Sequence, residues 1–308
     1  MKTPPTYSVI VPVYNSETTL VELNSRIHKV FAELGQTFEV IYVEDGAKDR
    51  SWELLQEIFS NHKRSTTVIK FTKNYGQHNA LFCGIGFAQG EFLITIDDDL
   101  QIPPEEIKKL IQQHQKTESD LVYGYFKKKK HRPLRNLGSK FLKRASKAIN
   151  DTQGEGSSFK LFTKELAQQI LAHHQNFVYI DELFLWYTED ISYIAVDHQK
   201  RQGSKSGYSF LKLFKLFFNI TIYYTAVPLK IMTFTGLLSS LLSLVVGIRF
   251  IARWMMFDVP LGYTSIIVAV LFSTSLILFS LGIIGEYLNR LYIVQNKKPP
   301  YSIKKILK

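Results

Sequence analysis

The sequence predicts an α/β protein with a mostly parallel sheet, followed by a C-terminal region of a different, apolar kind. Short apolar runs typical of strands alternate with helix-like segments over the first 126 residues. This alternation favours a parallel sheet with helices on both faces. Residues 231–285, in contrast, are almost free of charged side chains. At 308 residues, the chain is long enough for one large domain and an appendage.

The predicted elements follow one another in a regular order. Apolar runs predict strands at residues 7–13, 38–45, 66–71, 91–97 and 120–126. Helix-like segments lie around residues 18–34, 51–60, 78–88 and 104–115. In sheets of this class, ligands bind at the carboxyl ends of the strands. The loops after the first, second and fourth strands are therefore the expected functional region.

The composition excludes several classes of protein. A hydrophobic content of 45% with 13% aromatic residues excludes a disordered chain. The single cysteine, Cys83, excludes a disulfide framework and a multi-cysteine metal site. The net charge of +11 fits a protein that lies against a membrane and binds phosphate-rich ligands; no aromatic-interleaved basic groove predicts a nucleic-acid partner. The first residues enter a strand without a signal-like leader, so the N-terminal domain is expected in the cytosol.

Two apolar runs predict a transmembrane hairpin. Residues 231–248 and 259–285 have about the length that crosses a ~30 Å hydrocarbon layer. Basic residues precede the first run and follow the second, so both ends of the hairpin are expected on the cytoplasmic side. The alternative interpretation is a pair of buried helices in a large soluble core.

Residues 208–230 predict a helix that lies in the membrane interface. Apolar and aromatic residues are interrupted there by Lys212 and Lys215 on nearly one helical face. The alternative is a helix packed wholly inside the globular domain. The predicted division of the chain is a cytoplasmic domain at residues 1–204, a juxtamembrane amphipathic segment at 205–230, a two-helix transmembrane hairpin at 231–290 and a basic cytoplasmic tail at 291–308.

Polar clusters follow three of the predicted strands, and they read PVYN, EDGAKD and DDDLQ. No dinucleotide-binding glycine fingerprint and no phosphate-cradling GxxxxGK motif occurs, which disfavours a dehydrogenase and a P-loop enzyme. Alternation along the chain lets Asp97 and Asp99 point into one cleft while Asp98 points away. Two carboxylates in one cleft suit a divalent cation that bridges a diphosphate. An acidic turn before a helix N-terminus is the alternative.

Ordered motifs along nearly the whole chain resemble those of the membrane-anchored polyprenyl-phosphate glycosyltransferases of glycosyltransferase family 2. The motifs are YSVIVPVYN, VEDGAKDRS, KNYGQHNAL, DDDLQIPPEEI and GIIGEYLNRLYIVQNKKPPY. The resemblance implies a GT-A nucleotide-sugar-binding fold and inverting transfer of a hexose or modified sugar to polyprenyl (undecaprenyl) phosphate. The donor it implies is a nucleotide diphosphate sugar, expected to be a UDP-sugar, and the cofactor is Mg²⁺ or Mn²⁺. The implied location is the cytoplasmic (inner) membrane, with several crossings and a cytoplasmic catalytic domain that supplies cell-envelope glycan such as lipopolysaccharide.

The resemblance also implies roles for individual residues. The nucleotide-sugar-binding set is Pro12, Tyr14, Asn15, Asp45, Asp97 and Asp98. The metal-binding pair is Asp97 and Asp99. An acceptor phosphate needs basic side chains at the membrane side, and the candidates are Arg201, Lys205 and Arg135. The catalytic set is Asp99, Gln101, Arg201 and Lys205.

The chain departs from the family pattern in two places. GSSFKL stands where many relatives read G-D-F-R-L, so Ser158 replaces an aspartate and Lys160 an arginine. SKSGYS stands where relatives read G-x-S-K-Y-S, so Gly207 occupies the usual lysine position. Asp181 and Glu182 are further candidates for contacts with hydroxyl groups of the donor sugar.

Two other functions are compatible with parts of the sequence. A processive polysaccharide synthase shares the sheet and the D-x-D motif, although two spans and the lack of a Q-x-x-R-W motif disfavour it. A non-catalytic membrane adaptor that only binds nucleotide sugar is compatible with Ser158, although Asp45, Asp97 and Asp99 argue against it. A homo-oligomer is possible, and no residue pattern specifies a number of subunits.

Overall fold

The computed structural model describes residues 4–126, 158–172, 180–197, 199, 263–295 and 299–308, together with isolated positions between 232 and 252. Contacts divide the chain into two compact units. The first unit combines Met1–Lys205 with Pro299–Lys308, and the second is Ser206–Lys298. The chain therefore leaves the first unit and returns to it.

The first unit is built around an eight-stranded sheet. Its strands are β1 (Tyr7–Val13), β2 (Phe38–Glu44), β3 (Thr66–Phe71), β4 (Phe92–Thr95), β5 (Leu121–Phe126), β6 (Lys160–Thr163), β7 (Ile191–Val196) and β8 (Ile303–Leu307). They lie in the order β7-β5-β6-β4-β1-β2-β3-β8. β4, β1, β2 and β3 are mutually parallel, whereas β6 and β8 run antiparallel to their neighbours. The predicted mostly parallel α/β sheet is confirmed.

The described helices of the first unit connect its strands and cover the sheet, and one further helix belongs to the second unit. They are α1 (Leu20–Leu34), α2 (Ser51–Asn61), α3 (Gln77–Phe87), α4 (Ile107–Thr117), α5 (Lys164–Leu171), α6 (Ile180–Tyr187) and α7 (Tyr263–Gln295), with a 3₁₀ turn at Pro104–Glu106 before α4. Every residue of β1 is buried, as expected for a central strand covered on both faces. The predicted strands and helices up to residue 126 are all present, whereas β6, β7 and β8 were not predicted.

The register of the central strands brings three loops to one edge of the sheet. Val13 at the end of β1 pairs with Glu44 at the end of β2, and the Asp45 amide donates to the Val13 carbonyl at 2.9 Å. On the other side of β1, Ile10 pairs with Thr95 at the end of β4. Because these strands are parallel, the polar clusters that follow them lie side by side.

The second unit contains one described helix that is long and apolar enough to cross a membrane. α7 has 33 residues, and its stretch Phe272–Asn289 has a mean hydropathy of 1.2 and contains no buried residue. Described positions between 232 and 252 are helical, which is consistent with the first predicted span. The predicted interfacial segment at residues 208–230 lies outside the described residues.

The C-terminal tail, residues 299–308, returns to the sheet. β8 within this tail pairs antiparallel with β3 and forms the edge of the sheet beyond it. The basic tail predicted at residues 291–308 thus includes the end of α7 and a strand of the first unit.

Candidate active site

The candidate site lies at the edge of the sheet where the loops after β1, β2 and β4 meet. Pro12 is buried within β1, whereas the Tyr14 side chain just beyond it is 46% exposed. Asn15 adopts a positive φ of 54°, and its side-chain oxygen accepts a hydrogen bond from the Lys48 amide at 2.8 Å. Asn15 thereby joins the loops after β1 and β2, and Tyr14 presents its ring to the open edge.

Asp98 belongs to the framework of the site. One of its carboxylate oxygens accepts hydrogen bonds from the Tyr14 amide at 2.9 Å and from the Ser16 hydroxyl. Its own carbonyl accepts from the Thr19 hydroxyl at 2.5 Å. Burial raises the pKa of Asp98 to about 7. In this structure the Asp98 side chain orders the loop after β1. That loop also carries Tyr14 and Asn15, which the family resemblance assigns to nucleotide-sugar binding.

Asp45 lies buried at the end of β2 and holds the loop between β3 and α3. Its two carboxylate oxygens accept from the Tyr75 amide at 2.6 Å and the Gly76 amide at 2.8 Å. Burial raises the pKa of Asp45 to about 6, although the two amides oppose that rise. Both oxygens are thus oriented by backbone donors, which fixes the direction in which the carboxylate faces.

Glu44, the residue before Asp45, faces the interior. Its carboxylate accepts from the Ala47 amide and lies 3.7 Å from the Lys70 ammonium group. Burial raises the pKa of Glu44. The longer side chain therefore closes the turn after β2, and Asp45 is the residue of the pair that points to the loop between β3 and α3.

Asp97 and Asp99 have separate polar partners. Asp97 accepts from the Gln77 side-chain amide at 2.6 Å and from the Ser158 hydroxyl. Asp99 accepts from the Gln101 amide at 3.1 Å and from the Gln101 side chain at 2.7 Å. Burial raises the pKa of Asp97 to about 6, and the neighbouring charge of Asp99 adds to the rise. Burial and the charge of Asp99 therefore both make the Asp97 carboxylate costly to ionise.

The chemistry of this donor set fits a divalent cation that binds together with a diphosphate. Among the described residues, no three His, Cys, Asp or Glu side chains converge in a metal-binding cluster. Asp97 and Asp99, with the Gln101 side-chain oxygen beside them, are hard oxygen donors of the kind that Mg²⁺ and Mn²⁺ prefer. An incomplete protein ligand set leaves positions on such a cation for phosphate oxygens. A cation there would offset the mutual repulsion of the two carboxylates.

Ser158 and Lys160, the two residues of GSSFKL that depart from the family pattern, lie close to Asp97. Ser158 donates to Asp97, and the side chain of Lys160, 1% exposed, forms an ion pair with Asp181. The Lys160 ammonium group also lies 5.1 Å from the Tyr123 ring centroid and 5.0 Å from that of Phe184, which are cation–π distances. Asp181 is thus engaged with a buried lysine.

Three of the predicted site residues cannot be placed. Arg201, Lys205 and Arg135 lie outside the described residues, as does Gly207. The described part of the site therefore covers the expected donor side, and the acceptor-phosphate assignments stay predictions.

Some residues of the site were not assigned a role from the sequence. Gln77 reaches Asp97, and Tyr75 and Gly76 reach Asp45 through their backbone amides. The motif KNYGQHNAL was noted in the sequence, and it contains all three. Backbone donors carry no side-chain signal, so only the fold identifies them.

Comparison with protein families gives two matches along the chain. Residues 8–179 match the family described as Glycosyl transferase family 2. Residues 227–291 match the region described as the GtrB C-terminal hairpin. Together the two matches span the first unit's strands β1–β6 and most of the second unit.

Similar proteins cover nearly the full chain. The undecaprenyl-phosphate 4-deoxy-4-formamido-L-arabinose transferase of Pseudomonas aeruginosa is 30% identical over 98% of this chain and 90% of its own length. The enzyme of the same name from Proteus mirabilis is 29% identical over 97% of this chain and 93% of its own. An uncharacterized glycosyltransferase of Synechocystis is 29% identical over 96% of this chain and 94% of its own.

Solved structures show the same fold at lower sequence identity. Glucosyl-3-phosphoglycerate synthase from Mycobacterium tuberculosis, in complex with Mn²⁺, UDP-glucose and phosphoglyceric acid, is 16% identical with a TM-score of 0.51. The alignment covers 71% of this chain and 78% of that one. At this identity the likeness concerns the fold alone, and it supports the GT-A-like α/β architecture of the first unit.

Proposed function

Because this chain belongs to glycosyl transferase family 2 and is a glycosyltransferase, we propose that it transfers a sugar from a nucleotide diphosphate sugar to polyprenyl phosphate. The proposed acceptor is undecaprenyl phosphate, which the names of the Pseudomonas and Proteus relatives contain. The proposed donor is a UDP-sugar that carries a hexose or a modified sugar. The reaction inverts the anomeric configuration.

One observation carries the proposal: Asp97 and Asp99 share one edge of the sheet with Asp45, and burial together with the charge of Asp99 raises the pKa of Asp97. A nucleotide diphosphate sugar offers complementary parts, namely a nucleoside for the loops around Tyr14 and Asp45 and a diphosphate for a cation held by the two aspartates. No other ligand class in the sequence analysis matches both parts.

The residues of the chain then act by binding and orientation. Asp97 and Asp99 would hold Mg²⁺ or Mn²⁺ against the diphosphate, and the cation would neutralise charge on the leaving nucleoside diphosphate. Gln77 and Ser158 keep the Asp97 carboxylate facing this position, and Gln101 does the same for Asp99. Asp45, oriented by the Tyr75 and Gly76 amides, is the proposed partner of the base or ribose.

The acceptor is itself the nucleophile. A phosphate monoester is largely ionised near neutral pH, because its second pKa is about 6. Its oxygen can therefore attack the anomeric carbon, and the bond from that carbon to the diphosphate oxygen breaks, without a strong general base. Arg201, Lys205 and Arg135 are the proposed contacts of the acceptor phosphate, since basic side chains recognise phosphate through charge-assisted hydrogen bonds.

The connectivity of the chain supports a membrane hairpin. β8 follows α7 and lies in the same sheet as β1, so the chain enters and leaves the second unit from the same side of any membrane. An even number of crossings follows. If α7 crosses, a second span must precede it, and residues 231–248 are the proposed partner within the region that matches the GtrB C-terminal hairpin. We place the first unit in the cytoplasm.

The test is transfer of radiolabelled sugar from a panel of UDP- and GDP-sugars to undecaprenyl phosphate, with purified full-length protein in the presence and absence of Mn²⁺. Asp99→Asn is the inactive variant. Asp190→Asn, which changes an exposed aspartate away from the described site, is the matched control. Metal-dependent lipid-linked label that disappears only in Asp99→Asn supports the proposal.

Two other results would change the interpretation. Donor binding without a lipid product from any tested donor would favour the non-catalytic adaptor. Formation of a long polymer in place of a single lipid-linked sugar would favour the processive synthase.

A further inference from the structure

We propose that the C-terminal tail, residues 299–308, is a positioning element of the donor site and that it acts through Tyr301 on the loop between β3 and α3. This inference rests on the proposed function, because it assigns the tail to the nucleotide part of that same site. It differs from the sequence-based expectation, in which the tail was only a basic cytoplasmic segment.

The tail is attached to β3 along its length. β8 pairs with β3 from Val68 opposite Leu307 to Phe71 opposite Ile303, with a register shift between Lys70 and Phe71. Beyond the strand, the Thr72 amide donates to the Ser302 carbonyl at 3.0 Å. The hydrogen bonding thus continues past the end of β3 and into the loop that follows it.

Tyr301 packs between β3 and α3. Its ring is stacked on Phe71 with the centroids 5.1 Å apart and the planes 11° from parallel. Its hydroxyl lies near the thiol of Cys83, which is fully buried in α3. Tyr301 therefore contacts both elements that flank the loop of residues 72–76.

The same loop holds the candidate nucleotide-binding carboxylate. Phe71, on which Tyr301 stacks, makes an edge contact with Tyr75 at 5.6 Å between centroids. The Thr72 and Tyr75 hydroxyls lie 3.0 Å apart. The Tyr75 and Gly76 amides are the two donors to Asp45. A contiguous set of contacts thus runs from Tyr301 through Phe71 and Tyr75 to Asp45.

The loop has little room to adjust independently. A Cβ atom placed on Gly46, next to Asp45, would lie 2.5 Å from the Asn74 backbone nitrogen. The Asn74 side chain donates to the Asp45 carbonyl at 3.0 Å. Because the loop packs so closely on the turn after β2, a shift of the loop would move the donors to Asp45. Loss of the Tyr301 contacts should therefore weaken nucleotide binding.

The tail also follows closely on the second unit. Only residues 296–298 separate the end of α7 from the tail. The segment that completes the donor side of the site thus follows the proposed membrane hairpin in the sequence.

The experiment compares full-length Tyr301→Leu and Tyr301→Phe with wild type and with Lys304→Ala, a control at an exposed position of β8. Affinities for UDP, GDP, CDP and ADP in the presence of Mn²⁺ are measured by calorimetry, and the KM for undecaprenyl phosphate and the melting temperature are measured in parallel. Tyr301→Phe keeps the ring on Phe71 and loses only the hydroxyl.

The expected result is selective. Tyr301→Leu should weaken binding of the preferred nucleoside diphosphate by roughly tenfold and leave the acceptor KM within about twofold of wild type. Tyr301→Phe should recover most of that affinity, and Lys304→Ala should match wild type. If Tyr301 acts on the donor site, the nucleotide affinity should fall while the KM for the acceptor stays nearly constant.

Two results would overturn the inference while the proposed function stands: unchanged nucleotide affinity in Tyr301→Leu, or equal losses for nucleotide and acceptor together with a lower melting temperature, which would mark a purely structural role. If the wild-type protein binds none of the four nucleotides, the proposed function fails first and the inference falls with it.

Discussion

Three consecutive aspartates occupy three different environments at the end of β4. Asp97 faces Gln77 and Ser158, Asp98 orders the loop after β1, and Asp99 faces Gln101. Carboxylates that lie this close repel one another, and burial adds to the cost of ionising them. The raised pKa values of Asp97 and Asp98 follow from that cost, and a bound cation would relieve it.

Replacement of Asp99 by asparagine should abolish most transfer activity with little loss of stability. The amide keeps the size of the side chain and removes the charge proposed to hold the cation, so the rate should fall by about 10²-fold or more. The measurement is single-turnover transfer at saturating donor, with the melting temperature as the check on folding. Wild-type rates in this variant would remove Asp99 from the site.

Replacement of Lys160 by methionine should strongly destabilise the first unit. Lys160 is 1% exposed and pairs with Asp181, which is 17% exposed, so the substitution leaves a largely buried carboxylate without its cation. Loss of one partner of a buried ion pair typically costs about 3 kcal/mol or more. The free energy of unfolding measures this cost.

The double variant Lys160→Met with Asp181→Asn is the matched control for that prediction. It removes both charges, so its free energy of unfolding should lie closer to wild type than that of the single variant. If the two variants are equally destabilised, packing of the lysine side chain and not its charge explains the loss.

At the scale of elements, two glycines that end or follow an element differ in surroundings. Gly35 after α1 and Gly46 after β2 both have positive φ, 62° and 69°. A Cβ on Gly35 would meet nothing within 4 Å, whereas one on Gly46 would lie 2.5 Å from the Asn74 backbone. Comparison of substitutions at the two glycines therefore separates the energetic cost of backbone strain from that of a steric clash.

Gly35→Ala should therefore cost only the left-handed backbone strain, about 1 kcal/mol. Gly46→Ala should cost clearly more, because the loop between β3 and α3 must move, and it should also weaken nucleotide binding through Asp45. Thermal unfolding and nucleotide calorimetry on both variants measure this. Equal effects of the two substitutions would contradict the close packing of the loop.

Where α1 meets α2, the structure predicts sensitivity to acid. His28 in α1 stacks with His62 just after α2, with ring centroids 4.1 Å apart. Burial lowers the pKa of His28 to about 4, and the proximity of His62 contributes. In the unfolded chain a histidine has a pKa of about 6.5. The unfolded state thus binds the proton first, so the contribution of His28 to stability is complete above pH 6.5 and decreases as the pH falls toward 4.

His28→Leu should reduce the loss of stability that occurs as the pH falls. Buried Asp45, Asp97 and Asp98 have raised pKa values and shift stability in the opposite direction over part of the same range, so the difference between variant and wild type is the informative quantity. Denaturation midpoints from pH 7 to pH 4 supply it. A constant difference across that range would show that protonation of His28 does not contribute.

At the scale of the whole molecule, the return of the chain to the sheet supports the proposed membrane hairpin. β8 hydrogen-bonds with β3, and both chain connections of the second unit lead to the first. A single crossing is incompatible with this connectivity. The apolar helix α7 alone could not establish that, because one such helix also occurs as a core helix or an anchor.

The topology is testable with cysteine reporters, since Cys83 is the only native cysteine and is buried. Asp258→Cys, in the predicted connection of the hairpin, should react with a membrane-impermeant maleimide added to intact cells. Lys308→Cys should react only after the cells are permeabilised. External labelling of Lys308→Cys would contradict a β8 strand in a cytoplasmic sheet.

The sequence by itself determined the parallel core, the site-bearing loops and the apolar C-terminal region. These features depend on local periodicity and on the residues that follow each strand, and both can be read along the chain. The polar cluster DDDLQ was located in this way, whereas the role of Gln101 was implied by the family resemblance. The family motifs, which run from residue 7 to residue 301, added the expectation of a glycosyltransferase, and the family match confirmed it.

Only the tertiary structure decided which distant residues meet. β6 and β8 are short strands that run antiparallel to their neighbours, and their pairing partners lie far away in sequence. Asp45 is held by the Tyr75 and Gly76 amides, and Asp97 is held by Ser158. Tyr301 packs on Phe71 next to the loop between β3 and α3. All of these contacts join residues that lie far apart in the sequence. Such contacts leave no local periodic signal, because the energy that selects them arises only when the chain has folded.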